Sequence, residues 1–315
     1  MPEAGLEEFD GVVSFSNLDK VLYPSTGFTK GDLIRYFVGV APYIIRHLKG
    51  RALTLRRFPN GVDAGSFFEK RCPTHAPSFV KIVTWKPSSK DDPIRACSVE
   101  DVPTMAWLGN MAAIELHPSL ARAKADDRPT AMVFDLDPGA PAALTECAVV
   151  AKWLREKLEG MDLDSVPKTS GSKGLQIYVP FNTPTDFETT KTLSHGLALM
   201  LEAEHPELVV SRMATNLRKG KVFIDWSQND RSKTTVSVYS TRARAEPTVS
   251  APLKWEEVDR VVAGADPSSV VFDAKTILDR IERLGDLFEP VEQLKQRLPA
   301  GVKRAVADLV ARGGQ

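Results

Sequence analysis

The stretch Ala131-Met132-Val133-Phe134-Asp135-Leu136-Asp137-Pro138-Gly139 constrains this chain more than any other. An apolar run of this length, closed by Pro-Gly, predicts a buried strand that ends at a turn. Side chains alternate along a strand, so Asp135 and Asp137 share one face while Leu136 enters the core. At ~5 Å and an effective dielectric of about 20, two such carboxylates repel by roughly 3 kcal/mol. A chain that sets them side by side at the mouth of an apolar strand calls for a cation there, or for one protonated acid. Mg²⁺ and Mn²⁺ take oxygen ligands, commonly one or two carboxylates with substrate phosphates completing the shell. Taken alone, the same residues also read as an Asp-Pro-Gly turn that caps the next helix.

At 315 residues the chain can form one elaborate domain or two smaller ones. Its 43% hydrophobic and 26% charged content place it among soluble globular proteins. No apolar run approaches the ~18 residues of a membrane span, and the acidic N-terminus lacks the basic-then-apolar order of a signal peptide. A cytoplasmic protein without a membrane partner is expected. Cys72, Cys97 and Cys147 are far apart and form no Cys-x-x-Cys pair, which indicates neither a disulfide framework nor a zinc site. Net charge is zero, yet residues 46–71 hold seven Lys/Arg against two acids, and residues 212–244 hold eight against two. Basic segments on either side of a carboxylate pair suit a polyanionic substrate.

Local signals predict a helix starting at Thr29-Lys30-Gly31-Asp32 and stopping at Gly50, with Pro42 as a kink. Strands are expected over 52–58, 66–70, 80–85 and 94–98, then a helix from Asp101 to Leu116 with His117 at its end. After the Asp135 strand come a helix over 141–158, a polar loop over 167–174, a strand over 175–180, and a helix capped by Thr185. Further strands are expected over 208–211, 221–226 and 235–239, and a mainly helical C-terminal part. Strands and helices in mixed order argue for an α/β or α+β core.

Ser170-Gly171-Ser172-Lys173-Gly174 precedes a strand, and its small residues, hydroxyls and lysine could hold a phosphate. It lacks the Walker spacing, and a plain surface turn reads equally from it. Ile224-Asp225-Trp226-Ser227-Gln228 puts a third acid at a strand end, where it would complete a carboxylate metal site with Asp135 and Asp137. Phe67-Phe68, beside basic residues, offers a ring for base stacking.

The order Asn17…Lys20, Lys30, Arg56-Arg57, Phe67-Phe68, Glu115-Leu116-His117, Phe134-Asp-Leu-Asp-Pro, Ser-Gly-Ser-Lys-Gly and Ile224-Asp-Trp-Ser-Gln resembles the polymerase domain of bacterial ligase D. That family is a branch of the archaeo-eukaryotic primase superfamily. The resemblance runs from about Phe15 to Arg297. It implies a primase-polymerase fold, with a small RRM-like catalytic sheet beside an N-terminal α/β module. A single catalytic domain over 1–315 is expected, divided into an N-terminal module (about 1–125), a catalytic sheet (about 126–250) and a C-terminal helical segment (about 251–315).

The resemblance further implies a template-directed nucleotidyltransferase that fills short gaps and extends DNA ends, preferring ribonucleotides, with two Mn²⁺ or Mg²⁺ ions. Asp135, Asp137 and Asp225 would hold the metals. His117, Ser170, Ser172, Lys173, Gln176, Arg218, Gln228 and Arg242 would surround the nucleotide. Asn17, Lys20 and Lys30 would grip a DNA 5′-phosphate, and Arg56, Arg57, Phe67 and Phe68 would meet the template. The implied partners are gapped or broken DNA with a 5′-phosphate, ribonucleoside triphosphates, a separate DNA ligase and an end-binding protein, on the nucleoid. Many relatives read Gly-Leu-His where this chain has Gly174-Leu175-Gln176, replacing an imidazole by a neutral amide. With no ligase or nuclease segment in the sequence, a stand-alone relative of the actinobacterial or mycobacterial type is expected. The rival classes are a metal-dependent nuclease or phosphoesterase, which would shorten DNA, and a non-catalytic DNA-end-binding module, against which the third acid counts.

Overall fold

A computed structural model describes residues 5–88, 90, 92–299, 301–302 and 304. The outermost parts of the expected 1–315 domain, 1–4 and 305–315, lie outside the described residues. Chain contacts divide the protein into two compact units. The first comprises residues 1–126, 234–250 and 272–286, and the second the remainder, so two later segments group with the N-terminal module.

In the first unit, strands β1 (Val21–Tyr23) and β2 (Phe28–Thr29) lead into helix α1 (Lys30–Leu48). The helix starts where the sequence places it. Thr29 Oγ1 accepts from the Asp32 N–H at 3.1 Å, and Asp32 accepts from the Thr29 N–H at 2.9 Å, a reciprocal capping box. Leu33, Ile34, Phe37, Ala41 and Ile44 are fully buried along one side, and the helix runs through Pro42. Then come β3 (Leu53–Arg57), β4 (Phe67–Glu69), β5 (Lys81–Trp85) and β6 (Ile94–Ser98), in the sheet order β4-β3-β6-β5.

The next segment corrects the reading of one helix up to Leu116. Helix α2 spans only Val102–Asn110, capped by Asp101, whose side chain accepts from the Thr104 N–H at 2.8 Å. Ala112 takes a φ of +51°, which ends helical continuation, and β7 (Ala113–Pro118) pairs antiparallel with β3. His117 therefore sits on a strand, not at a helix terminus. Cysteine usage needs correcting too: Cys72 and Cys97 form a disulfide, because the backbone after β4 returns beside β6, where the Cys72 N–H meets the Arg95 carbonyl at 2.7 Å.

The second unit is built on β8 (Ala131–Pro138), followed by α3 (Leu144–Glu159), β9 (Val166–Thr169), β10 (Leu175–Pro180), α4 (Phe187–Glu204), β11 (Val209–Val210), β12 (Val222–Asp225) and α5 (Trp255–Val262). Its five-stranded sheet has the order β11-β12-β8-β10-β9, which makes β8 the central strand. Helices α3 and α4 pack against β8 and against each other, and Met132, Val133, Phe134 and Leu136 are fully buried. Three boundaries shift from the sequence reading. Helix α3 begins at Leu144, after the cis Ala140–Pro141 bond, because Glu146 caps the Ala143 N–H at 2.7 Å. The first half of the expected 167–174 loop is β9, drawn into the sheet by pairing with β10. Asp186, not Thr185, caps α4, accepting from the Thr189 N–H at 2.7 Å.

Residues 235–239 form no strand; they run beside β7 through Thr235 N–H to Pro118 O (3.2 Å) and Ser237 N–H to Leu116 O (2.8 Å). The described C-terminal part is less helical than expected, with α6 (Thr276–Leu284) in the first unit and α7 (Pro290–Gln293) in the second, separated by turns. Among the described residues no helix is long and apolar enough to cross a membrane.

Candidate active site

Strand pairing in the second unit aligns four polar residues in one row across the sheet. Asp225 on β12 stands opposite Asp135 on β8, Asp135 opposite Gln176 on β10, and Gln176 opposite Lys168 on β9. Directly opposed residues share a face, so the row presents two carboxylates, an amide and an ammonium together. Asp137, two residues along β8, adds a third carboxylate on the same face. Lys168 is 0% exposed and carries its ammonium 5.6 Å from the Tyr178 ring centre. It lies in the 167–174 stretch read from the sequence as a loop, because Pro167 argues against a strand and is tolerated here on the sheet-edge strand β9.

Burial, and then the neighbouring Asp137 carboxylate, push Asp135 up to about 7, against the pull of a Gln176 hydrogen bond and of Lys168. Asp135 Oδ1 is buried and has no hydrogen-bond partner. An orphaned carboxylate oxygen beside two further carboxylates is a donor set that fits a hard divalent cation. Among the described residues no three His, Cys, Asp or Glu side chains are grouped so that together they could hold a metal ion as they stand, so the three carboxylates would have to draw together around a bound ion.

Asp225 is oriented locally. Its Oδ1 accepts from the N–H (3.0 Å) and hydroxyl (2.6 Å) of Ser227, and its Oδ2 accepts from Gln228 Nε2 at 2.8 Å. Gln228, expected at the nucleotide, thus donates to a candidate metal ligand. In the 170–174 loop, Ser170 Oγ accepts from the N–H groups of Ser172 and Gly174, both at 3.3 Å, while Lys173 is exposed. Two N–H groups expected to cradle an anion are therefore engaged within the loop. Gly174 lies against β8: a Cβ there would stand 1.9 Å from the Leu136 carbonyl oxygen. Gly139 lies equally close to the Arg218 carbonyl, which brings Arg218 to the end of β8, its guanidinium 3.8 Å from the Phe223 ring centre.

The first unit holds a second constellation. Arg56 on β3 stands opposite Phe68 on β4 and Glu115 on β7. Glu115 is buried and receives His117 Nε2 at 3.0 Å, Arg242 Nε at 3.2 Å, the Ala243 N–H at 3.1 Å and Arg56 Nη1 at 3.5 Å. Burial alone would raise this carboxyl; His117, Arg242 and the Ala243 N–H outweigh it and hold it well below the usual carboxylate range. Burial lowers His117, more than Glu115 raises it, so the imidazole is neutral at pH 7 and donates to Glu115. Glu115 entered the sequence reading only as part of the Glu115-Leu116-His117 motif and without a role, although a Glu two residues before a His on a strand shares its face.

Phe67 and Phe68 are 45% and 60% exposed. Both rings face outward on an edge strand, where alternation led us to expect only one. Arg57 lies over Phe67 at 5.2 Å and Arg56 over Phe68 at 5.4 Å, so the four expected template residues form two arginine–ring pairs on opposite faces of the β3–β4 pair, with the Arg56–Phe68 pair on the face of Glu115 and His117.

Lys30, only 5% exposed, donates to Ser16 Oγ at 3.3 Å, and Lys20 donates to Asn60 Oδ1 at 2.9 Å. Burial and the nearby Lys20 charge lower Lys30. Asn17, at φ +52°, turns the chain, its carbonyl accepting from the Lys20 N–H at 3.1 Å. At the α1 N-terminus the Lys30 and Gly31 N–H groups are taken by the Lys20 and Leu18 carbonyls, both at 2.8 Å, and are not free for an anion. Any phosphate here would rest on the two ammonium groups. Asn60, which the sequence reading did not single out for the site, is the unforeseen member.

A mixed α/β protein with three aspartates on adjacent antiparallel strands, and a separate strand pair bearing arginines over exposed rings, has the makings of a nucleotidyltransferase that works on nucleic acid. The chain belongs to the LigD primase-polymerase domain family, whose model matches residues 29–288. It is 38% identical over 292 residues to the multifunctional non-homologous end joining protein LigD of Mycolicibacterium smegmatis, covering 91% of this chain and 37% of that protein. The bifunctional LigD of Bacillus subtilis is 33% identical over 274 residues, 87% of this chain and 43% of the relative. This chain thus spans less than half the length of these relatives. The polymerase domain from Mycobacterium tuberculosis ligase D in complex with DNA superimposes with a TM-score of 0.83 at 39% identity, over 90% of this chain and 99% of that one.

Proposed function

We propose that this protein is a template-directed nucleotidyltransferase that fills short gaps and extends DNA ends in repair, with ribonucleotides preferred. The observation that carries the reading is the Asp225–Asp135 cross-strand pair with Asp137 beside it on the central strand. Two divalent ions, Mn²⁺ or Mg²⁺, held by these three carboxylates would supply activation of the primer 3′-hydroxyl and charge neutralisation at the leaving pyrophosphate. Ser227 and Gln228 orient Asp225, and Gln176 orients Asp135. Gln176 is a neutral amide, so it acts on the Asp135 carboxylate and carries no proton in the reaction. Ser170, Ser172, Lys173 and Arg218 contribute to nucleotide binding in the second unit.

In the first unit, Arg242, anchored by Glu115, supplies a polyanion contact, and His117, its Nε2–H held by Glu115, offers Nδ1 as an acceptor to a nucleotide hydroxyl. Arg56 with Phe68, and Arg57 with Phe67 on the other face of the strand pair, offer the template contacts, where base stacking is worth about 1–3 kcal/mol per base. Asn17, Lys20 and Lys30 bind a 5′-phosphate. The partners are gapped or broken DNA, ribonucleoside triphosphates, a separate ligase and an end-binding protein, in the cytoplasm on the nucleoid. Extension of a gapped, 5′-phosphorylated duplex with each metal and each nucleotide type tests the reading. Expected is templated addition, better with ribonucleotides, lost in Asp225→Ala; shortened DNA, or synthesis by Asp225→Ala, would refute it.

A further inference from the structure

Asn229 is completely buried one residue beyond the turn that follows Asp225. Its Oδ1 accepts from the Val133 N–H at 2.8 Å, and its Nδ2 donates to the Val133 carbonyl at 2.7 Å. Nδ2 also meets Ser194 Oγ and the Trp226 carbonyl, both at 3.0 Å. The register explains this arrangement. β12 pairs with β8 as far as Asp225 opposite Asp135, and two more residues in that register would set Ser227 opposite Val133. The chain instead turns out of the sheet at Trp226–Gln228, which lets Ser227 and Gln228 donate to the Asp225 carboxylate. Leaving the sheet there would strand the N–H and C=O of Val133, a residue with no exposure. The Asn229 carboxamide replaces both ladder bonds, since it alone with Gln carries a donor and an acceptor in peptide-like geometry.

We infer that Asn229 is a positioning residue: as a surrogate peptide group on β8 it fixes the turn that holds Asp225 opposite Asp135, and so sets metal affinity. The inference rests on the metal reading above. Trp226, between Asp225 and the amide, is tied down at the same time: its ring stacks on His195 at 3.8 Å and its Nε1 donates to the Ser211 carbonyl at 3.0 Å. A purely structural residue would change stability and leave metal affinity alone once the protein is folded.

The test is Mn²⁺ titration of the full chain without DNA, read by the EPR signal of free Mn²⁺, for wild type, Asn229→Ala and Asp225→Ala. Thermal melts and gapped-duplex binding are measured alongside. For folded Asn229→Ala the expected result is Mn²⁺ affinity weaker by about tenfold, DNA binding within about twofold of wild type, and extension partly restored at high Mn²⁺. Wild-type Mn²⁺ affinity in folded Asn229→Ala, with Asp225→Ala impaired, would overturn the inference alone. Equal Mn²⁺ binding by wild type and Asp225→Ala would overturn the metal site and the inference with it. Should Asn229→Ala not fold, Ser194→Ala removes one acceptor from the same amide; about threefold weaker Mn²⁺ binding supports the inference and an unchanged value overturns it.

Discussion

Replacing Gly174 by Ala should disable the catalytic sheet from outside the carboxylate set. The added Cβ would stand 1.9 Å from the Leu136 carbonyl oxygen, 3.1 Å from its carbon and 3.3 Å from Pro138 Cδ. The obstructing atoms are backbone, so no side chain can swing aside; either the loop or β8 must retreat by about 1 Å to restore contact distance. The Leu136 carbonyl lies between Asp135 and Asp137, and the loop is closed by Ser170 N–H to Gly174 O at 2.9 Å. Movement therefore displaces candidate metal ligands on one side or phosphate-loop residues on the other. Overpacking of this kind costs about 1–3 kcal/mol, so for a chain of this length a melting temperature lower by about 2–5 °C is expected. Extension of a gapped duplex should fall at least tenfold, since about 1 Å of misplacement costs far more than that in well-ordered sites. Gly65→Ala is the control, because nothing lies within 4 Å of its new methyl. Gly174→Ala with wild-type melting and wild-type extension would refute the reasoning.

Three further outcomes are expected. Asp135, folded, titrates near 7 against an ordinary value of 3.8, so its protonation stabilises the metal-free fold below the unfolded value and that contribution is lost as pH rises through about 7. Metal-free protein should melt lower at pH 8 than at pH 6, and both Asp135→Asn and added Mn²⁺ should remove that slope; an unchanged slope in Asp135→Asn contradicts the assignment. Glu115→Gln withdraws the charge shared by Arg56, Arg242 and His117 and should destabilise the protein by about 3 kcal/mol in chemical denaturation, whereas a neutral effect would show the cluster to be unstrained without it. Lys20→Ala with Lys30→Ala should abolish at least a tenfold preference for a 5′-phosphorylated gap in binding assays, as each charge-assisted bond is worth about 1.5–3 kcal/mol; a parent protein indifferent to the phosphate rules the pocket out.

The central strand β8 and the start of α1 were legible because their signals are local. An apolar run with alternating acids and a Pro-Gly stop places β8 and its two aspartates, and Thr29 with Asp32 places the start of α1. The misread parts are those decided by distant partners. Residues 102–116 are apolar nearly throughout, so no period separates the helix from the strand that follows; only pairing of β7 with β3 does. Lys168 looked like loop because its strand is short and fully covered, and the Cys72–Cys97 pairing depends on a sheet neighbour 25 residues away. Asn229 gave no signal, since a buried amide standing in for a missing ladder bond cannot be told from an ordinary turn residue until the register is known.

The edge strand β4 carries a colloidal consequence. It is three residues long and sets two exposed rings at the margin of a sheet, where unpaired backbone groups invite a second chain to add a strand. Arg56 and Arg57, lying over those rings, put like charge where another copy would have to dock. Salt screens that repulsion within about 10 Å at 0.1 M and less at higher concentration, while leaving the apolar rings attractive. The same arginines that would suit the edge to a nucleic acid would also oppose edge-to-edge pairing, to the extent that Glu115 and Glu69 leave their charge unbalanced, so self-association should rise with added salt.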